Sequence, residues 1–407
     1  MTHVEEEGLD QFGGTGWAVR MVAQPSNAGP RSVAHPRVLS TGMTPVRRWC
    51  VVAFVAVVLA ATPVAVRWLP AGSADVSSAT LLREARTAVE GSWSGTVEID
   101  GSLQLPDADQ FSGLAALFGE RTRLRVWWQD TEHWRVDRLL TTGETDLVRN
   151  GATTLEWDFE RSESTISREP EIRLPRAADL LPPALAERLL RGVTDADVTA
   201  LPARRVAGRS ASGLRVQAPS PLSSIDRVDL WTDGDSGVPL LVEVYAAGSS
   251  SPDFTSRFTD YSPDPPAPDI LTFVTPATAE VTYDDVLDIA DAANQYAPLR
   301  PPTAVAGLGQ TDASDGAVGV YGEGTAQVIA IPLRDREADA FRDQMALMTG
   351  VEQDERRTVV TLGPLGILLT GTDGEGGWLL AGTLTRDALE QAGRDVVSGF
   401  VFVDEAG

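Results

Sequence analysis

Lysine is absent from this sequence of 407 residues, and cysteine and histidine are rare. The single cysteine, Cys50, excludes an intrachain disulfide and a cysteine-based zinc site. Of the three histidines, His3, His35 and His133, only His133 follows the N-terminal apolar run. A histidine-rich metal site is therefore excluded there, and a Ser-His-Asp or Cys-His arrangement has one candidate histidine. We predict no catalytic residue, no metal site and no cofactor.

Positive charge is also scarce, since 58 acidic residues face 34 basic ones and the formal net charge is −24. Such a surface repels phosphate backbones, so we predict no nucleic-acid partner. Because every basic residue is arginine, the composition suggests a GC-rich genome and fits an actinobacterial source. The length allows two or three domains, and 43% hydrophobic residues are enough to form their cores.

One apolar run stands out near the N-terminus, at residues 49–66, with Arg47 and Arg48 before it and Arg67 after it. It lies at the short end of what spans a bilayer, and the preceding charges favour an orientation with the C-terminus outside. We favour a signal anchor over residues 47–69. The alternative is a signal peptide cleaved near residues 65–74. Residues 1–46 are either a disordered cytoplasmic tail or, up to Met43, sequence before the true start. The predicted location is the cell membrane, single-pass, with the C-terminal domains extracytoplasmic.

Alternation of apolar and polar residues dominates after the anchor and predicts antiparallel strands over most of residues 77–262. A helix at 77–89 precedes them, and two helical turns at 177–191 interrupt them. The predicted strands lie at 92–105, 121–130, 133–140, 144–151, 153–165, 201–219 (a hairpin), 225–233, 238–246 and 254–262.

A proline-rich stretch at residues 263–281 is the predicted linker, with four prolines in its first eight residues. Beyond it, residues 282–407 mix helical and strand patterns and predict a smaller α+β domain. Its helices are predicted at 283–295, 336–348 and 385–397, the last with Thr385 as N-cap.

Three stretches resemble the LolA/LppX/RseB superfamily. They are the first helix with SWSGTVEI, the run RLRVWWQDTEHWRVDRL…ETDLVRNGATTLEWD, and VDLWTDGDSGVPLLVEVY…FTSRFTDY. In the C-terminal part, SDGAVGVYGEGTAQVIAIPL and GGWLLAGTLTRDALEQAGRDV resemble the second domain of RseB/MucB-type sigma-factor regulatory proteins. The resemblance covers about four fifths of the chain, and its motifs are mainly turn chemistry.

The resemblance implies a mainly β fold of the α+β type, in which an incomplete antiparallel β-barrel wraps around helices and a smaller α+β domain follows. It also implies an envelope protein that binds a lipid or lipoprotein acyl group and regulates an anti-sigma-type membrane partner. The alternative is a ligand-free module for protein–protein interaction in the envelope. A carboxylate-based hydrolase is a third reading, because acidic residues are abundant.

Tryptophans on the predicted strands are the candidate ligand contacts, because they can line an apolar cavity under the half-barrel. Ordinary core packing is the competing interpretation. The proposed lining residues are Trp93, Leu124, Val126, Trp128, Trp134 and Trp157. The apolar segment 105–120 is either a lid over the cavity or a packed surface helix, with Phe111, Leu114, Leu117 and Phe118 as its apolar contacts.

Other motifs favour structural roles. Asp233–Gly237 has the wrong spacing for a calcium loop and predicts a hairpin turn. The glycines at 319–324 lack a phosphate-loop lysine and predict a bulge or turn. His133 is predicted to lie in an exposed turn. The remaining acidic clusters predict solvated surface: Asp264/Asp269, Asp284/Asp285 and Asp354/Glu355.

Overall fold

The computed structural model describes residues 76–103, 117–119, 121–141, 143–168, 172–283 and 289–403. Within these ranges no helix is both long enough and apolar enough to cross a membrane. The predicted anchor at residues 49–66 lies outside them. The fold is mainly β, with one large open sheet, one smaller sheet and short helices.

The large sheet has twelve strands in the spatial order β12-β6-β5-β4-β3-β2-β1-β11-β10-β9-β8-β7. All neighbours are antiparallel except β12 and β6, which run parallel. Its edge strands β12 and β7 are not paired with each other, so the sheet is open. The strands are β1 Trp93–Gly101, β2 Arg121–Trp128, β3 His133–Leu139, β4 Glu144–Asn150, β5 Thr153–Asp158, β6 Glu163–Arg168, β7 Val198–Val206, β8 Arg209–Gln217, β9 Ile225–Asp233, β10 Pro239–Ala246, β11 Phe254–Ser262 and β12 Glu280–Tyr283.

Two meanders make up this sheet, and they meet where β1 pairs with β11. Gly95 sits at this junction, where a Cβ atom would lie 2.2 Å from the carbonyl oxygen of Asp260. Glycine thus permits the close approach of the two meanders. The alternation predicted most strand positions correctly, but the single strand predicted at 153–165 is two strands. The chain turns back at residues 159–162, where Ser162 adopts a positive φ of 52°.

Helices α1 (Ser78–Thr87) and α2 (Pro182–Leu189) pack on the inner face of the sheet. The Ser77 side chain accepts a hydrogen bond from the Thr80 N–H and caps α1. Prolines at the first positions of α2 suit a helix start, where an N–H has no partner within the helix. Short 3₁₀ turns lie at Ala88–Glu90, Ala177–Leu180 and Asp195–Asp197.

The smaller sheet has six strands in the order β16-β17-β21-β20-β19-β18 and carries helices α4 and α5. Thr385 accepts a hydrogen bond from the Ala388 N–H and begins α5, as predicted. The elements are α3 Ile289–Asn294, β13 Leu299–Arg300, β14 Ala304–Val305, β15 Leu308–Gly309, β16 Gly319–Glu323, β17 Ala326–Leu333, α4 Asp335–Ala346, β18 Glu352–Gln353, β19 Arg357–Leu362, β20 Leu365–Thr370, β21 Gly377–Gly382, α5 Arg386–Gly399 and β22 Val401–Phe402.

One segment crosses to the far edge of the large sheet, and one loop joins the large sheet to the smaller sheet. The segment 263–279, here called the strap, leaves β11 and leads to β12 at the far edge of the large sheet. The loop between β8 and β9 contacts the smaller sheet, because Ser224 N–H donates to the Thr383 carbonyl (3.0 Å) and Ser223 Oγ to the Thr325 carbonyl (2.7 Å).

Candidate binding sites

Three tryptophans form a stack on the inner face of the large sheet. The strand register aligns Trp93 of β1 with Trp128 of β2 and Trp134 of β3. Their ring centroids are 5.3 and 5.6 Å apart, and the neighbouring rings are parallel to within 3°. All three are buried. The stack is an aromatic surface held by three adjacent strands.

Hydrogen bonds and packing hold this stack in place. Trp128 Nε1 donates to the Val89 carbonyl at 2.8 Å, and Trp93 Nε1 donates to the Ala88 carbonyl at 3.3 Å. Phe258 meets Trp93 edge-on with ring centroids 5.5 Å apart. The end of the N-terminal helical segment thus satisfies two buried indole N–H groups, as buried tryptophans require.

The structure brings five of the six predicted lining residues into one core: Trp93, Leu124, Val126, Trp128 and Trp134. Trp157 lies on the outer face of the sheet. Its strand, β5, pairs it with Asp146 of β4, and cross-strand partners share a face. Of the predicted lid, Leu117 is buried in the same core, and Phe118 lies 5.6 Å from Phe254 between ring centroids. Phe111 and Leu114 lie outside the described residues. That these side chains contact a ligand stays a prediction.

The outer face of β2, β3 and β4 carries a cluster of five charged side chains, here called the ionic cluster. Arg135 donates from Nε to Asp137 Oδ1 (2.6 Å) and from Nη2 to Asp146 Oδ2 (2.7 Å). Arg125 Nη2 donates to Asp137 Oδ2 (3.1 Å) and also to Glu144 Oε1. One oxygen from each of the three carboxylates lies within 4.8 Å of the others. The cluster therefore holds three negative and two positive charges.

Burial makes this cluster electrostatically unusual. Asp146 is only 4% exposed, and its Oδ1 accepts no hydrogen bond from any residue that the structure describes. Burial, the negative charge of Asp137 and the nearby Glu144 raise the pKa of Asp146 to about 7. Burial also raises the pKa of Asp137 above its ordinary value, against the effect of the two guanidinium groups. A neutral or externally neutralised Asp146 is favoured near neutral pH.

A recess of about 310 Å³ opens beside the ionic cluster and is called the acidic recess. Its lining residues are Gly143, Glu144, Asp146, Trp157 and Phe159. Phe159 is 64% exposed, while the Trp157 ring is buried and packs 5.5 Å from the Phe273 ring of the strap. A second recess, of about 300 Å³, lies at the turns that end β7 and β9, where Arg209 binds Asp233 and Asp235.

Sequence reasoning missed the ionic cluster and assigned no role to its three acids. The alternation in β3 and β4 does place Asp137 and Asp146 on the face opposite the apolar residues. Only the strand register, which pairs Asp137 with Asp146 and Arg125 with Asp137, brings them together. The signal available in the sequence was the alternation itself, which places Asp137 and Asp146 on the polar face of their strands.

The motifs assigned structural roles form turns. His133, the half-buried first residue of β3, contacts both Asp130 carboxylate oxygens through Nδ1, at 2.9 and 3.1 Å, across the turn that precedes the strand. Asp233 accepts from the Ser236 N–H and hydroxyl in the hairpin between β9 and β10. Gly322 and Gly324 have positive φ values of 71° and 62° at the end of β16, where glycine is favoured.

Comparison with known proteins yields similar solved structures. No protein-family model matches the chain, and no curated protein matches it. A chain of the Pseudomonas aeruginosa MucA/MucB complex has 16% identity and a TM-score of 0.46, covering 80% of this chain and 98% of that chain. MucB alone has 18% identity and a TM-score of 0.43, with coverages of 80% and 98%. A LolA superfamily protein from Nitrosomonas europaea has 14% identity and a TM-score of 0.22, with coverages of 49% and 98%. The structural neighbours thus include MucB and a LolA-superfamily protein.

Proposed function

We propose that the chain is a binding and regulatory protein of the cell envelope that acts by holding a ligand rather than by catalysis. The ligand we propose is an acyl chain of a lipid or lipoprotein. One observation carries the proposal: β1, β2 and β3 present the stacked rings of Trp93, Trp128 and Trp134 to the apolar interior between the sheet and its helices.

An acyl chain lying along this surface gains by leaving water. Each buried methylene contributes about 0.8 kcal/mol, so ten of them contribute about 8 kcal/mol before other costs. The stack already packs against protein atoms, so a bound chain replaces contacts such as that of Phe258 with Trp93. That exchange lowers the net affinity and couples ligand binding to a change in the interior.

The second candidate is an envelope module for protein–protein interaction that holds no lipid. The observation in its favour is that the tryptophan stack is fully packed, with two indole N–H groups bonded to the backbone. In that case the stack is a rigid core, and binding takes place on the protein surface.

For both candidates we propose the same organisation: a half-barrel domain at 77–262, a linker at 263–281 and an α+β domain at 282–407, anchored through residues 49–66. The boundary between the last two falls within β12, which pairs with β6 of the large sheet. The hydrogen bonds of Ser223 and Ser224 join the large sheet to the smaller one. A change at the inner face can therefore bias the surface of the C-terminal region. We propose that this surface meets an anti-sigma-type membrane partner.

Native mass spectrometry of the full chain, purified from a membrane-containing host with lipid extraction of the same sample, tests the acyl proposal. A stoichiometric lipid is expected. Trp128→Phe, which disturbs the stack, should lower acyl uptake, while Trp127→Phe on the outer face of the same strand should not. A lipid-free mass with no uptake of offered acyl chains would reject the acyl ligand and leave the protein–protein module.

A further inference from the structure

With all three carboxylates ionised, the ionic cluster has one more negative charge than positive charges. Asp137 has both oxygens bonded, one to Arg125 and one to Arg135. Glu144 shares Arg125, and Asp146 has only its Oδ2 bonded to Arg135. Asp146 Oδ1 is buried and, while both carboxylates are ionised, accepts no hydrogen bond from a described residue; the same side chain lines the acidic recess. A buried carboxylate in this state is costly unless a cation or a proton neutralises it.

The surroundings of the recess add negative charge. Glu160 lies on its rim, where its Cγ is 2.7 Å from the position a Cβ would take on Gly143. The strap that packs over Trp157 contains Asp264 and Asp269 but no arginine. Asp158 of β5 forms an ion pair with Arg161 at 3.8 Å and is therefore already paired. The charge that completes the cluster has to come from outside the strap.

The walls of the recess suit an organic cation. Phe159 leaves most of its ring exposed next to two carboxylates, and its N–H donates to the Glu144 carbonyl at 3.2 Å. This bond fixes the residue beside the recess. Aromatic faces attract ammonium and guanidinium groups through their ring quadrupoles, and the attraction grows when water is excluded. A volume of about 310 Å³ exceeds what a bare metal ion occupies.

A divalent metal fits these residues less well. Calcium takes six to eight oxygen ligands, whereas two guanidinium groups already occupy oxygens of all three carboxylates. Adding two positive charges to a site that lacks one would give it a net positive charge. One monovalent cation restores neutrality.

We propose that the acidic recess is a binding site for a monovalent organic cation, an alkylammonium or alkylguanidinium group, held by Glu144 and Asp146 and covered by Trp157 and Phe159. The site lies on the opposite face of the sheet from the tryptophan stack, so it stands independently of the acyl proposal. A lysine or arginine side chain of a polypeptide and an amine headgroup are two sources of this chemistry.

Isothermal titration of the full chain in detergent with butylammonium and butylguanidinium tests the proposal, with butyramide as the neutral probe. Saturable binding with Kd on the order of 1 mM is expected for at least one cation and none for butyramide. Because a proton competes for Asp146, affinity should fall as the pH drops from about 8 to about 5. Equal binding of the neutral probe, or no binding of either cation, would overturn the proposal.

Variants locate the site. Glu144→Gln and Asp146→Asn should each weaken cation binding by about tenfold or more, and Phe159→Ala by about threefold. Glu355→Gln removes an exposed acid of the smaller sheet and should change nothing. Phe159→Ala changes an exposed side chain, so it keeps the test valid if a cluster variant fails to fold. Unchanged binding in Phe159→Ala and in the folded cluster variants would place the cations elsewhere and reject the site.

Two further binding experiments distinguish the two ligand sources from each other and the organic cation from a metal ion. Short peptides with one arginine or lysine are compared with phosphoethanolamine, and the tighter ligand identifies the source. Calcium binding that displaces no organic cation leaves the proposal intact, whereas calcium binding with no response to any organic cation would replace it with a metal site. Lipid content of Phe159→Ala, measured in parallel, is expected to equal that of the wild type.

Discussion

The two faces of β2, β3 and β4 bury very different side chains. On the inner face, Trp128 and Trp134 stack in an apolar core. On the outer face of these strands, Asp137 and Asp146 are buried beside two arginines. Apolar burial is favourable by itself. A buried charge is stable only while an oppositely charged partner or a proton neutralises it. The inner face is therefore expected to be insensitive to pH, and the outer face is not.

The largest loss of stability is expected from a substitution on the inner face. Trp128→Ala removes the middle ring of the stack and leaves a cavity, so it should lower the free energy of unfolding by about 3–5 kcal/mol. Trp127→Ala, on the same strand but facing outward over Arg125 and Arg135, should cost less. Urea unfolding measures both, and equal losses would contradict the difference between the faces.

The next largest loss of stability is expected from a substitution in the ionic cluster. Arg135→Met leaves Asp146 without its guanidinium and Asp137 with only one, which should cost about 3 kcal/mol at about pH 8. The loss should be smaller at about pH 5, where the unpaired carboxylates take up protons. Arg161→Met, an exposed residue 3.8 Å from Asp158, is the control and should change stability by less than about 0.5 kcal/mol. A loss that does not depend on pH would show that Arg135 acts through packing alone.

The third prediction concerns protonation of Asp146. Its folded pKa of about 7 exceeds its ordinary value of 3.8, so the folded state holds a proton that the unfolded state has released. This contribution to stability is full below about pH 4 and is lost as the pH rises through about 7. Asp146→Asn should remove this dependence and make the variant more stable than the wild type above about pH 7, by about 1–2 kcal/mol. Parallel stability curves for the two proteins would refute the assignment.

The smallest effect tests the strap as a cover of the outer face. Phe273 is half-buried between the Trp157 ring and the Arg135 guanidinium, 5.5 and 5.9 Å from its ring. Phe273→Ala should cost about 1–2 kcal/mol and increase the fluorescence quenching of Trp157 by acrylamide. Val274→Ala, next along the strap and 80% exposed, is the matched control and should do neither.

Local rules determined much of the molecule. The period of two in RTRLRVWW put Trp128 inside and Trp127 outside, because successive side chains of a strand point to opposite faces. Thr385 marked the start of its helix, because an N-cap side chain bonds a backbone N–H only three residues away. These features depend on neighbours in the chain, so the sequence alone contained them.

Tertiary structure decided what depends on distant neighbours. Pairing of β1 with β11 joins residues about 160 positions apart, and the register between β3 and β4 sets Asp137 against Asp146. No local pattern specifies which strands pair or which acids meet, because burial, register and the path of the strap are selected together by the whole core. The alternation therefore predicted the tryptophan face, while the acidic recess on the other face became visible only in the folded chain.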